Sequence, residues 1–470
     1  MYSNIKHVLE KLPSEYTGEL LRAIRKEFIL SGKSVVVLDD DPIGTQTCHD
    51  VIVLTSWTVP LIVEELKKRP SILFILTNSR SLPEGAAVQL TLEIALNLKK
   101  ASKESEREIV PISRSDSTLR GHFPAEVDAL AQALEMDDAA WILLPAFIEG
   151  GRFTIDDVHY IIENQECVPV SETPFARDAS FGYTHSNLKE WVEEKTKGAV
   201  KTAEVMSLSL ADIRQEGPQR VCDTLLMCKS RQICIVNACS YTDLEVFVMG
   251  VLLAEKKGKR FLYRTSATFV SIRAGIAPGH IFKPGKEQVV SPHGSLVVVG
   301  SYVPKTTSQL DYLLAKGNHQ SIEINVPELL QSRDNLIYAA SVIKQADNWM
   351  ASGKDVIIYT SRRLEVGKDP DSSLRVNGLV SAFLVSIVRG ITVRPAFIIA
   401  KGGITSSDLA TKGLSVEKAL ILGQAIPGVP VWELDHKSKF PGLIYVVFPG
   451  NVGDHTALEQ VCVKLLSLSK

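Results

Sequence analysis

Two kinds of hydrophobic pattern alternate along most of this chain. Short β-branched runs stand at residues 35–38, 51–54, 72–76, 109–112 and 141–144. Between them apolar residues recur at helical spacing, as Ala87, Leu90, Ile94 and Leu98 do within residues 85–99. Residues 123–136 form a second helical stretch, with Pro124 suited to a first turn. Strands that alternate with helices predict βαβ units and a mainly parallel sheet. Ahead of them, Leu20, Leu21, Ile24 and Phe28 predict a helical extension over residues 1–33. Residues 150–207 show no regular pattern, and a strand at 232–236 and an apolar helix at 243–255 follow.

Pro and Gly then cluster at Ala277-Pro278-Gly279, Pro284-Gly285 and Pro292-His293-Gly294. They break any regular element and predict a domain boundary near residue 290. The alternation restarts beyond it. Strands are expected at 296–299, 322–326, 356–359, 397–399 and 443–447, and helices at 307–315, 334–350, 376–388 and 456–466. The expected fold is therefore two α/β domains with mainly parallel sheets, residues 34–290 and 291–470, and a cleft between them.

Composition narrows the function classes. The 470 residues hold 45% hydrophobic and 23% charged side chains, ordinary for a globular protein. A formal net charge of -2 argues against a general nucleic-acid binder. None of the seven cysteines forms a Cys-x-x-Cys pair, so reduced, buried thiols are expected rather than disulfides or zinc. The first residues carry charges throughout and no apolar stretch is long enough to span a bilayer, so no membrane association and a cytoplasmic location are expected.

The candidate chemistry sits where predicted strands end. The run at 35–38 leads into Asp39-Asp40-Asp41-Pro42-Ile43-Gly44-Thr45-Gln46-Thr47. Three adjacent carboxylates repel one another and call for a metal ion, a basic side chain or a hydroxyl-rich substrate. One or two acids would serve a plain turn, in which Asp caps a helix and Pro and Gly set the bend. After the strand at 72–76 comes Thr77-Asn78-Ser79-Arg80-Ser81, whose Arg80 can hold a carboxylate bidentately. After 109–112 comes Arg114-Ser115-Asp116-Ser117-Thr118-Leu119-Arg120-Gly121-His122, a fit for a small anion. A parallel sheet brings all three loops to one edge, where open α/β sheets bind ligands.

The second half carries glycine turns at similar places. They are Gly300-Ser301, Lys401-Gly402-Gly403-Ile404-Thr405-Ser406 and Pro449-Gly450-Asn451-Val452-Gly453. Glycine lets backbone N–H groups approach an anion, and helix N-termini favour phosphate. No P-loop or dinucleotide-binding motif is present in the sequence. A hydroxy acid in the first domain and a nucleotide in the second imply phosphoryl transfer, which needs positioning, Mg2+ and a carboxylate to orient the acceptor hydroxyl.

These motifs, taken in order, resemble the four-carbon sugar acid kinases. They are Asp40-Asp41 with Gly44, Ser79-Arg80, the stretch from Asp116 to Gly121, Gly300-Ser301, Gly402-Gly403-Ile404-Thr405-Ser406 and Gly450-Asn451-Val452-Gly453. The resemblance runs over nearly all of the chain from residue 34. It implies a sugar-acid-binding domain followed by a nucleotide-binding domain, and ATP-dependent phosphorylation of threonate, erythronate or a 3-oxo-tetronate at the terminal hydroxyl. Asp41 or Asp40 is then the expected base, with Asp116 as its rival. Substrate contacts are expected from Asp40, Arg80, Arg114, Ser115, Asp116, Ser117 and Arg120, the two arginines Arg80 and Arg114 meeting the substrate carboxylate. ATP contacts are expected from Ser301, Gly402, Gly403, Ile404, Thr405, Gly450 and Gly453. In this reading Mg2+ and substrate hydroxyls compensate the acidic turn, and a homodimer is the assembly to look for.

The chain departs from the family pattern in places. The commoner acidic turn reads Asp-Asp-Leu-Thr-Gly-Ala, against Pro42-Ile43-Gly44-Thr45-Gln46 after the acids here. Arg114 stands where lysine is common, Ile404 where Glu is common, and Val452 where an aromatic is usual. Two other readings compete. Asp39-x-Asp41 followed by Gly-Thr is similar to the haloacid dehalogenase phosphatases, although Pro42 and Ile43 spoil the spacing. A non-catalytic sugar-acid sensor is the other.

Overall fold

The strands at 34–39, 72–76, 140–144 and 261–265 are buried on both faces, which fits a parallel sheet covered on either side. The computed structural model describes residues 2–42, 44–277, 280–283, 291–331, 335–363 and 370–466. The chain divides into two compact units, residues 1–48 with 56–278 and residues 49–55 with 279–470. The boundary expected at residue 290 lies outside the described residues.

Numbered along the chain, the first strands are β1 (Ser3–Asn4), β2 (Ser34–Asp39), β3 (Val51–Leu54), β4 (Ile72–Leu76), β5 (Ile109–Arg114) and β6 (Ala140–Leu144). Then come β7 (Arg152–Ile155), β8 (Val158–Glu163), β9 (Glu166–Pro169), β10 (Met206–Leu208), β11 (Ile233–Val236) and β12 (Phe261–Thr265). In the first unit the main sheet runs β10-β11-β6-β12-β5-β2-β4, every pair parallel. All residues of β2, β4, β6 and β12 are buried. The chain leaves β2 for β4 and then crosses to β5 on the other side of β2, so the order reverses there. Ligands of open α/β sheets bind at such a reversal, outside the carboxyl ends of the strands.

The predicted extension over residues 1–33 belongs to this unit. Its helix Leu21–Ser31 buries Ile24 and Phe28, as the helical spacing requires, but β1 pairs antiparallel with β9. Together with β8 and β7 it makes a small sheet, β1-β9-β8-β7, whose other three strands lie in the stretch that shows no pattern. The helix Tyr241–Lys256 starts at a capping box in which Ser240 and Asp243 exchange hydrogen bonds with backbone N–H groups.

The second unit adds β13 (Leu296–Val299), β14 (Gln320–Ile324), β15 (Val356–Thr360), β16 (Phe397–Lys401), β17 (Lys418–Gln424), β18 (Pro430–Leu434) and β19 (Ile444–Phe448). Its sheet runs β3-β17-β18-β19-β16-β13-β15-β14. The five strands from β19 to β14 are parallel, while β3, β17 and β18 pair antiparallel. The run at 51–54 is thus a strand as predicted, but it belongs to the second unit rather than to the first sheet. Its four apolar residues carry no record of which sheet they join. Val297, Val299, Phe397, Ile399, Ile444, Val446 and Phe448 form the core here with the helix Ala457–Leu466. Among the described residues no helix is long and apolar enough to cross a membrane. All seven cysteines are unpaired and buried.

Candidate active site

Parallel pairing in register brings the chemistry of the first unit to one edge. Asp39 lies opposite Leu76 on one side and Arg114 on the other, and Arg114 lies opposite Thr265. The loops after β2, β4, β5 and β12 therefore leave the sheet side by side. Backbone bonds tie them together: Thr77 N–H donates to the Asp39 carbonyl at 2.9 Å, and Ser115 N–H to the Thr265 carbonyl at 2.9 Å.

The acidic turn is neutralised by arginine. Arg80 donates from Nη2 to Asp40 Oδ1 at 2.6 Å, from Nε to Asp40 Oδ2 at 3.1 Å, and from Nη1 to Asp41 Oδ2 at 3.2 Å. Arg114 donates from Nη1 to Asp39 Oδ1 at 2.9 Å, and Ser115 Oγ donates to Asp40 Oδ2 at 2.5 Å. The sequence reading gave these two arginines to a substrate carboxylate and left the turn to Mg2+ and substrate hydroxyls. Here the aspartates pair with both guanidinium groups, because a fork donor buried beside carboxylates pairs with them, while Arg114 Nε keeps no partner among the described residues. Among the described residues no group of three or more His, Cys, Asp or Glu is arranged to hold a metal ion.

The carboxylates are graded by their surroundings. Asp39 is sealed, and its Oδ2 has no hydrogen-bond partner among the described residues. Burial, with the charges of Asp40 and Asp41, pushes its carboxyl up to about 7 against the pull of Arg114. Burial acts upward on Asp40 too, but the charge and hydrogen bonds of Arg80 prevail and hold it below the ordinary carboxylate range. Asp41 is the outermost, with its side chain 19% exposed. Two glycines make the crowding possible. A Cβ on Gly44 would stand 1.9 Å from Asp39 Oδ2, and one on Gly121 (φ +119°) would stand 2.4 Å from Ser115 Oγ.

The loop after β5 is held from both sides. Asp116 accepts from Arg120 Nε at 2.6 Å and from Thr118 Oγ1. Burial works upward on its carboxyl, but the charges of Arg120 and Arg80 override it and keep it well below the usual range. The buried His159 ring bonds the Ser117 carbonyl at 2.7 Å and Thr154 Oγ1 at 2.9 Å, and Tyr183 OH donates to the Thr118 carbonyl at 2.7 Å. Both residues come from the stretch without sequence pattern, so only the fold shows that they position this loop. Glu126 accepts from Ser79 Oγ at 2.5 Å, and burial pushes its carboxyl up to about 7. Arg264, at the end of β12, was not foreseen as a site residue; its strand, Phe261-Leu262-Tyr263-Arg264-Thr265, has the aromatic and β-branched content that could have marked it.

The second unit brings the glycine turns together in the same way. Val299 lies opposite Lys401, and Lys401 opposite Phe448, so Gly300, Gly402 and Pro449 follow three neighbouring strands at one edge. The backbones close on each other. A Cβ on Gly300 would stand 2.3 Å from Thr405 Oγ1, on Gly402 (φ +121°) 3.1 Å from Ser301 Cβ, and on Gly450 3.1 Å from Ser301 Oγ. Thr306 Oγ1 donates to the Gly450 carbonyl at 2.9 Å, and Gln309 Nε2 to the Val452 and Asp454 carbonyls at 2.9 and 2.7 Å. Gly453 packs against Ala457, while the Ile404 side chain is exposed. Two cations stand nearby: Lys401, which opens the second of these turns in the sequence, and Arg362, which no motif marks. Arg362 donates from Nη2 to the Ser301 carbonyl at 2.5 Å, and buried Lys401 donates from Nζ to the Pro449 carbonyl at 2.5 Å. Glycine backbone, hydroxyls and the N-terminus of the helix Pro304–Ala315 fit a polyphosphate in donor type.

Comparison with known proteins decides the family. Residues 35–273 match the sugar-binding N-terminal domain family, and residues 296–458 match the nucleotide-binding C-terminal domain family. The chain is 24% identical over 441 residues to a D-threonate kinase of Bordetella bronchiseptica, covering 91% of this chain and 96% of that one. It belongs to the four-carbon sugar acid kinase family. A D-erythronate kinase of Heliobacterium modesticaldum is 23% identical over 230 residues, 47% of this chain and 48% of the relative, so that match spans about half of the relative's length. Both relatives are named as kinases, which puts the chain in a family of phosphotransferases with an alcohol group as acceptor. Solved structures from Salmonella typhimurium LT2 (TM-score 0.66, 16% identity, 91% of this chain and 98% of that one) and of Haemophilus influenzae protein HI1011 (0.61, 17%, 91% and 99%) share the fold.

Proposed function

We propose that this family member is an ATP-dependent kinase that phosphorylates a hydroxyl, the terminal one, of a four-carbon sugar acid. The observation that carries this reading is the graded set of carboxylates after β2. Asp39 is sealed, Asp40 is pinned by Arg80 and Ser115, and Asp41 keeps a partly exposed side chain at the lip of the turn. In this reading Asp41 takes the proton of the acceptor hydroxyl as its oxygen bonds the γ-phosphorus and the bond to the departing ADP oxygen breaks. Asp40 orients the substrate, and Arg80 keeps Asp40 ionised. Asp116 is held by Arg120 and Thr118, which fits a fixed acceptor for substrate hydroxyls together with Ser117.

In the second unit, Ser301, Gly402, Gly403, Ile404, Thr405, Gly450 and Gly453 would receive ATP through backbone N–H groups and hydroxyls. Mg2+ carried on the phosphate oxygens of ATP would supply charge neutralisation. The cytoplasm and a homodimer complete the proposal, the former on the strength of seven unpaired thiols. ADP release with Mg-ATP across a panel of four-carbon sugar acids, starting with D-threonate and D-erythronate, tests it. Stimulation by at least one acid is expected, and none by any of them overturns the reading.

A further inference from the structure

Four arginines stand around the acidic turn, and three are neutralised within the chain. Arg80 meets Asp40 and Asp41, Arg114 meets Asp39, and Arg120 meets Asp116. Arg264 makes no ion pair among the described residues, and its hydrogen bond runs from Nη2 to the Arg120 carbonyl at 2.8 Å. Yet Arg264 is only 4% exposed. A guanidinium carries five N–H donors; the carboxylates of Asp40, Glu126 and Asp116 offset its charge without touching it, but donors at that depth without acceptors are costly. An anion is the partner such a site lacks.

Two of its donors stay uncommitted. Arg264 Nε and Nη1 have no partner among the described residues, and they are not among the fully enclosed unpartnered atoms, as Arg114 Nε is. The surroundings are tight: a Cβ at Gly121 would stand 2.4 Å from Ser115 Oγ, 3.2 Å from Asp40 Oδ2 and 3.4 Å from Arg264 Nη2, so the Arg264 guanidinium ends beside the acidic turn. Two rivals are weaker. Arg152 also lacks an acidic partner, but it bonds its own loop at the Gly150 carbonyl, lies over the Phe147 ring, and has a sealed Nε. Glu126 acts on Arg264 electrostatically, as Asp40 and Asp116 do, but it forms no ion pair with it and its Oε1 accepts from Ser79.

We propose that Arg264 receives the carboxylate of the sugar acid on its free N–H donors, and that this contact selects an acid over a neutral polyol. The inference rests on the sugar acid reading above and supplies the role that Arg80 and Arg114, already paired, leave open. An anion at Arg264 would lie beside Asp40, which binds hydroxyls of the same molecule.

The test is calorimetric binding of D-threonate, D-erythronate, threitol and erythritol to the full-length protein, to R264K and to R264Q. The wild type is expected to favour an acid over its alditol. R264Q should lose roughly 10- to 100-fold on the acids, the range of a charge-assisted hydrogen bond, and nothing on the alditols, with R264K between. Acid binding unchanged in R264Q, or equal losses on acid and alditol, overturns the proposal. ATP binding and thermal melting of R264Q at wild-type values exclude misfolding, and R264K, which keeps the charge, decides the matter if R264Q does not fold. Arg264-dependent acid binding without ADP release leaves this inference standing and overturns the kinase reading. ADP release with an acid whose KM R264Q leaves unchanged does the reverse.

Discussion

Arg80 holds Asp40 through two parallel hydrogen bonds, Nη2 to Oδ1 at 2.6 Å and Nε to Oδ2 at 3.1 Å. This fork joins the loops after β2 and β4 and is nearly closed to solvent. Removing either partner takes the nearest counter-charge from a buried group, at a cost of up to about 3–5 kcal/mol, reduced by Asp41 for Arg80 and by Ser115 and Arg114 for Asp40. Arg80→Ala should therefore lower the urea midpoint markedly, and the double variant with Asp40→Asn should be little worse than either single one. Additive losses in that cycle would show that the two residues do not act as a pair.

Asp41 differs from Asp40 in exposure and not only in position. Asp41→Asn keeps the shape of the side chain and removes the base. Its kcat should fall by about 100-fold or more, with the KM for ATP unchanged. Turnover near the wild-type rate would remove Asp41 from the mechanism and leave Asp116 as the candidate.

Much of this arrangement was legible in the sequence because both halves use short, doubly buried strands whose ends are polar. The strands at 72–76 and 296–299 fall where the apolar runs stop, and the loops after them carry the chemistry. Pairing was less legible. Nothing in Val51–Leu54 tells that it joins β17 in the second unit, since strand partners are set by tertiary contacts and not by local pattern. The charges are legible as a set but not as pairs: the sequence assigns Arg80 and Arg114 to a substrate carboxylate, whereas the fold pairs them with Asp39, Asp40 and Asp41 and leaves Arg264 without a direct ion pair among the described residues. His159 and Tyr183 were invisible, because each touches the loop after β5 from across the fold through a backbone carbonyl.

The glycines next to the carboxylates should tolerate no side chain. Gly44→Ala puts a methyl 1.9 Å from Asp39 Oδ2, and Gly121→Ala adds a strained φ of +119° to a 2.4 Å approach to Ser115 Oγ. Each should destabilise by about 1–3 kcal/mol and lower activity. Gly85→Ala, where a Cβ meets nothing within 4 Å, serves as the control and should leave both unchanged. Wild-type melting of Gly44→Ala would show that Asp39 can swing away and that the crowding is not needed.

The glycine turns of the second unit should report on nucleotide alone. Gly450→Ala adds a methyl 3.1 Å from Ser301 Oγ, close enough to narrow the turn without straining φ. The KM for ATP should rise by about tenfold, about 1.4 kcal/mol, while the KM for the sugar acid stays put. A rise in the acid KM instead would move this turn out of the nucleotide site.

Asp39 gives the protein a pH dependence of unusual sign. Its carboxyl titrates at about 7 when folded against an ordinary 3.8, because burial and its acidic neighbours outweigh Arg114. Between those values the unfolded chain releases a proton that the folded chain keeps, so the folded state loses stability as pH rises. Glu126, raised from 4.5 to about 7 by burial, acts in the same direction. Asp40 and Asp116, both lowered, contribute stability above the ordinary carboxylate value and lose it only as pH falls below. Urea midpoints should therefore decline from about pH 5 to about pH 7, and Asp39→Asn, which can still accept from Arg114, should flatten that decline. Equal slopes for the variant and the wild type would mean that Asp39 is ionised at the bottom of the site, with Arg114 as its full counter-charge.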